Sequence, residues 1–131
     1  MQFDGFSYDG RINRAKYWRI KIGLLLANLF FHIWVAAQFS HSALHRPPTR
    51  TGEWILILGV LAVTVVTLWV SIATDVRRFH DRDKSGWWVF ILLLPVVGAV
   101  WLLVECGFLP GTPGPNRFGP DPLSIAGQGG R

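Results

Sequence analysis

The stretch that decides the fold is WILILGVLAVTVVTLWVSIAT, Trp54 to Thr74, 21 residues without one formal charge. About 20 helical residues cross the roughly 30 Å hydrocarbon core of a bilayer, so this run has the length of a span. Two further uncharged runs flank it, Ile22 to His45 and Ser85 to Val104. The chain has 131 residues, of which 50% are hydrophobic and only 16% charged, and its mean hydropathy is +0.33. A soluble domain this small would have to cover three apolar helices, and too few polar residues remain to do it. The sequence therefore reads as an all-α membrane protein, a single membrane domain over 1–131 containing a bundle of three transmembrane helices.

Those helices are expected at 17–39, 54–74 and 87–109. A basic amino-terminal lead (1–16), a basic and acidic loop (75–86) and a Pro/Gly-rich tail (110–131) complete the chain. Pro95 falls inside the third segment, where it removes a backbone donor and is expected to kink the helix. A re-entrant pair of shorter helices is the alternative, and it would return the tail to the side of the 75–86 loop.

Lys and Arg are distributed unevenly between the segments. Arg11, Arg14, Lys16, Arg19 and Lys21 precede the first, Arg46 and Arg50 follow it, Arg77, Arg78, Arg82 and Lys84 lie in the second loop, and Arg117 and Arg131 in the tail. With three spans, the amino terminus and the second loop share one side with nine cations against four. The amino terminus is then cytoplasmic and the tail outside. A signal peptide cut after Ala37 is the rival reading of the first segment. The long basic lead and the polar Asn28 and His32 favour an uncleaved anchor. Tyr17, Trp18, Trp54, Trp87 and Trp88 stand at the segment starts, where amphipathic rings settle at headgroup level.

The net charge of +5 does not point to nucleic acid, because the cations are scattered over the ends of apolar segments. Cys106, the single cysteine, permits no internal disulfide and no metal framework, and it reads as a small apolar residue near the end of the third segment. No cofactor or metal is expected. Within the spans, Thr64, Thr67, Ser71 and Thr74 share one helical face and read as a packing seam. Asn28 and His32 share a face of the first helix, with His32 expected to bond a hydroxyl of the second. Glu105, the one acid in the apolar segments, is expected near the outer interface.

The loop from Asp75 to Gly86 is the densest polar cluster. If the second helix continues past the membrane surface, Arg77 and Arg78 both come within pairing reach of Asp81, leaving Arg82 and Lys84 free for lipid phosphates. His80 with Asp75, Asp81 and Asp83 has the residue types of an acid/base site, but no known metal spacing is present, and His80 and Asp81 point to different helix faces.

Three segments together resemble the DUF805 family of small bacterial inner-membrane proteins. They are Phe6-Ser7-Tyr8-Asp9-Gly10-Arg11-Ile12-Asn13-Arg14-Ala15-Lys16-Tyr17-Trp18, then Arg77-Arg78-Phe79-His80-Asp81 with Ser85-Gly86-Trp87-Trp88, and the run from Pro110 to Pro122. The resemblance covers residues 6 to 122 and departs at Phe79, commonly Leu in the family, and at Lys16, commonly an acid. Without that acid, Asn13 has no capping-box partner. The resemblance implies a bacterial inner-membrane location and no established activity.

From the residues themselves, the expected work is non-enzymatic. It is binding of anionic lipid headgroups or a small anionic ligand through Arg11, Arg14, Arg77, Arg78, His80, Asp81, Arg82, Lys84 and Arg117, together with docking of another membrane protein or a second copy. A membrane enzyme acting on lipid headgroups through His80 and the neighbouring acids is the alternative.

Overall fold

A computed structural model describes the backbone of residues 7–45 and 50–124, and the side chains of 7–40 and 52–124. Two long helices dominate it, α1 (Arg14–His45) and α2 (Arg50–Asp81). Each has 32 residues, about 48 Å at the helical rise, so both outrun a bilayer core. Asn13 starts α1, its side-chain oxygen accepting the Lys16 N–H at 2.8 Å, a cap that works without an acid at Lys16. The end of α2 is closed by Asp83, at φ 56 in the left-handed region that Asp tolerates better than most residues. Lys84 N–H then reaches Phe79 O and Asp83 N–H reaches His80 O, the paired bonds of a Schellman stop.

The chain divides into two compact units, Met1–Lys21 with Val70–Arg131, and Ile22–Trp69. In the second unit most of the described large apolar side chains are exposed, Leu25, Phe30, Leu58 and Leu61 among them, as expected of helices whose solvent is lipid. Asn28 Nδ2 donates to Thr67 Oγ1 at 3.2 Å. His32 does not make the expected bond to a hydroxyl of the second helix, since its Nδ1 lies 2.8 Å from Asn28 O on its own helix. The hydroxyl face is partly self-satisfied, because Thr64, Thr67 and Thr74 each donate to the carbonyl four residues back.

The first unit holds the small core, Ile12, Tyr17, Phe79, Leu102 and Cys106, with Trp18 and Val89 packed against it. Here the third segment departs from the expected single kinked span. A 3-10 helix, Gly86–Leu93, begins at Ser85, whose hydroxyl accepts from Trp87 N–H. It ends at Leu94, which is extended (φ −96°, ψ 95°), and α3 (Pro95–Leu102) follows with Pro95 in its first turn. A proline disfavours helical backbone in the residue before it and suits the first helical position, so Pro95 separates two helices instead of bending one. The arms fold against each other as a hairpin, with Trp88 and Trp101 stacked at 6.2 Å. A π-helical turn, Leu103–Phe108, completes the returning arm.

Close approach of the arms depends on Gly98. A Cβ there would collide with the backbone carbonyl of Ile91 and the Cα of Leu92, whereas one at Gly59 in α2 meets nothing within 4 Å. Gly98→Ala should therefore cost about 1 to 3 kcal/mol through forced separation of the arms. Gly59→Ala should leave stability in detergent unchanged or slightly raised, a contrast that thermal unfolding of both variants measures.

Candidate functional site

The three segments that carry the family resemblance meet at the end of α2. Asp81 is 3% exposed and accepts from two arginines, Arg11 Nε at 3.1 Å and Arg78 one helical turn before it. The expected Arg78 and Asp81 pair is therefore present, with Arg11 from the lead as a third member. Gly111 packs directly on this carboxylate, since a Cβ there would overlap Asp81 Oδ2.

Arg11 also organises the tail. Proline and glycine deny Pro110 to Pro122 regular structure and so leave its carbonyls unpaired. The Arg11 guanidinium collects them, donating to Thr112 O and Gly114 O at 2.7 Å each and to Gly119 O at 3.3 Å. Thr112 N–H and Oγ1 both donate to Asp81 O, and Asn116 Nδ2 donates to His80 O at 2.9 Å. The His80 ring stacks on Phe118 at 3.9 Å and 5°.

A helix leaves its last carbonyls without partners and carries partial negative charge there. At the end of the returning arm, cationic and indole side chains supply the donors. Arg78 reaches Cys106 O at 2.8 Å and Leu109 O at 2.5 Å, Trp18 reaches Gly107 O at 3.0 Å, Arg14 reaches Phe108 O at 2.9 Å, and Arg82 reaches Pro110 O at 2.7 Å. Arg78 is wholly buried in this role, and Arg77 is 6% exposed.

Three expectations are corrected here. Glu105, expected near the interface away from the second loop, lies 2.8 Å from Arg82 Nε and is also paired with Lys84, so it packs against that loop. Arg82 and Lys84 are for the same reason engaged, and Lys84 lies over both Trp88 and Trp101. The tail, expected away from the second loop, is bonded to it. Arg117 pairs with Asp83 at 3.2 Å with both side chains exposed. Sequence reading placed Asp75 beside His80 and missed its partners: it is a third buried acid, which accepts from Tyr17 Oη at 3.2 Å and from Lys21 Nζ at 2.8 Å. Part of the signal for Glu105 was available, because a lone acid in an apolar segment needs a cation, but the nearest one in the chain is Arg117, and only the fold brings Arg82 and Lys84 to it.

A cavity of about 380 Å³ opens beside the first turn of α1, lined among others by Asn13, Arg14, Arg78, Asp81, Asp121 and Leu123. Hydrogen bonds from Leu123 N–H and Gly114 N–H hold the Asp121 carboxyl below its usual range. Arg14 and Asp121 thus face the opening with opposite charge. Among the described residues no group of three or more His, Cys, Asp or Glu is placed to hold a metal ion.

The family model described as a protein of unknown function, DUF805, matches residues 5–120. The chain belongs to the DUF805 family. It is 36% identical over 120 residues to the inner membrane protein YhaH of Escherichia coli K12, covering 88% of this chain and 86% of that protein. The uncharacterized protein YiiR of the same strain is 28% identical over 144 residues, covering 92% and 88%. The inner membrane protein YhaI of the same strain is 36% identical over 74 residues, covering 51% and 61%. No solved structure matches. Among the described residues of this DUF805 chain two helices are long and apolar enough to cross a membrane, Arg14–Ser40 and Gly52–Asp81.

Removing the Asp81 charge leaves Arg11 and Arg78 buried against each other without compensation. Asp81→Asn should cost about 3 to 5 kcal/mol. Asp83→Asn, which breaks an exposed pair and keeps a residue tolerant of positive φ, should cost under about 1 kcal/mol. Denaturation of both variants in the same detergent compares them.

Proposed function

We propose that this chain is a non-enzymatic inner-membrane protein that binds anionic lipid headgroups beside its polar end, through Arg14, Lys16 and Arg19. The inner-membrane relatives and the two long apolar helices support the location. The hairpin supports an orientation: if α1 and α2 span and the third segment turns back, every Lys and Arg except Arg46 and Arg50 lies on one side. Such an imbalance places that side, with the amino terminus, in the cytoplasm.

The observation that carries the headgroup reading is how the charges are allotted. Asp75, Asp81, Asp83 and Glu105 take Lys21, Arg11, Arg78, Arg117, Arg82 and Lys84 as partners. Among the described residues Arg14, Lys16 and Arg19 make no ion pair, and α1 has no acid in its first turn. They stand just before the apolar run that opens at Ile22, at headgroup depth. Cations there are worth about 1 kcal/mol each on an anionic surface. This differs from the expected set, since the Arg78 donors are spent on carbonyls and on Asp81. Against the enzyme alternative, both carboxylate oxygens of Asp81 are engaged by arginines, Oδ1 by Arg11 and Oδ2 by Arg78, which leaves this acid poorly placed to act as a base.

Purified protein should retain phosphatidylglycerol in native mass spectrometry. Lys16→Gln with Arg19→Gln should reduce that retention several-fold, and Arg46→Gln with Arg50→Gln, an equal change of charge, should reduce it little. Equal losses would mean diffuse attraction, which salt screens over about 8 Å. No loss from the first pair rejects the site.

A further inference from the structure

We infer that the hairpin of residues 86–108 is a half-membrane wedge, which enters the lipid leaflet adjoining the polar end and returns to the same side, with acyl chains covering its tip. The inference rests on the reading of α1 and α2 as spans. Both ends of the hairpin are tied at one place: Arg82 and Lys84 before it pair with Glu105 near its end, and Arg78 holds the carbonyls of Cys106 and Leu109. A segment clamped at both ends by one ion cluster cannot leave on the opposite side of a bilayer.

Its reach fits one leaflet. Eight residues of 3-10 helix rise about 16 Å, close to half of a roughly 30 Å core. The chemistry fits lipid as well, because residues 85–104 carry no charge and the tip is apolar on every side. Leu93 is 77% exposed, Val96 76% and Val97 62%, and the 3-10 arm has no buried residue at all. A protein-docking surface leaves one face polar, whereas exposure all round is the pattern of a segment dissolved in hydrocarbon. The bend is also internally satisfied in the way lipid demands, with Leu94 N–H bonded to Ile91 O and Gly98 N–H to Leu94 O. At the base, Trp88, Trp101 and Lys84 supply the rings and cation of an interface.

The test uses the full chain with Cys106→Ala, reconstituted in sealed vesicles of phosphatidylethanolamine and phosphatidylglycerol, with single cysteines introduced one at a time. An impermeant maleimide should label Asp9→Cys and Ser124→Cys from the same side and Ser42→Cys from the other. A fluorophore on Leu94→Cys, with Val97→Cys as a second tip position, should be quenched about twofold more by lipid spin-labelled deep in the chain than by lipid labelled near the headgroup. The order should reverse on Phe108→Cys. Asp9→Cys and Ser124→Cys on opposite sides would mean that the segment crosses, and a tip not quenched by lipid would mean that water or a second copy covers it. Either result overturns the wedge and leaves α1 and α2 spanning. Ser42→Cys labelled from the same side as Asp9→Cys would instead overturn the two-span reading and the wedge with it.

Discussion

One buried carboxylate, Asp81, organises the polar end of this protein. Two guanidinium groups approach it from different parts of the chain, Arg78 from its own helix and Arg11 from 70 residues earlier. Charges this well removed from water are stable only when paired and when their remaining donors are also satisfied. That second requirement builds the rest of the unit. The spare donors of Arg11 gather the tail carbonyls, those of Arg78 gather the carbonyls of Ile12, Cys106 and Leu109, and the lead, tail and hairpin become one body.

The same accounting constrains function. A chain with formal charge +5 looks like a cationic surface, yet most cations of the described polar end are consumed by carboxylates and by helix-end carbonyls. The outward-facing charge without an ion-pair partner is narrower, and it includes Arg14, Lys16 and Arg19 in the first turns of α1, with Arg14 opposing Asp121 across a cavity. An arginine cluster in a small membrane protein is thus an ambiguous sign, because a guanidinium fork suits a backbone carbonyl as well as a phosphate.

The hairpin adds a second constraint. Glu105 would be costly in lipid without a counter-charge, and it finds two by returning to the residues that precede the hairpin. Pro95 and Gly98 make the return sterically possible, the first by ending one helix and starting another, the second by letting the backbones touch.

Local features that depend on neighbours in the chain were legible in the sequence. The two long apolar helices, the Arg78 and Asp81 pair one turn apart and the irregular tail follow from periodicity and composition, whereas α2 runs on to Asp81 through residues expected as a loop. Only the tertiary structure decided which cations Glu105 meets, where the donors of Arg11 and Arg82 go, and whether Pro95 bends a helix or divides a hairpin. The reason is physical: an uncharged run of 20 residues is long enough for one full crossing or two half crossings. The choice between them is made by contacts at its ends, and those ends meet charges that lie far away in the sequence.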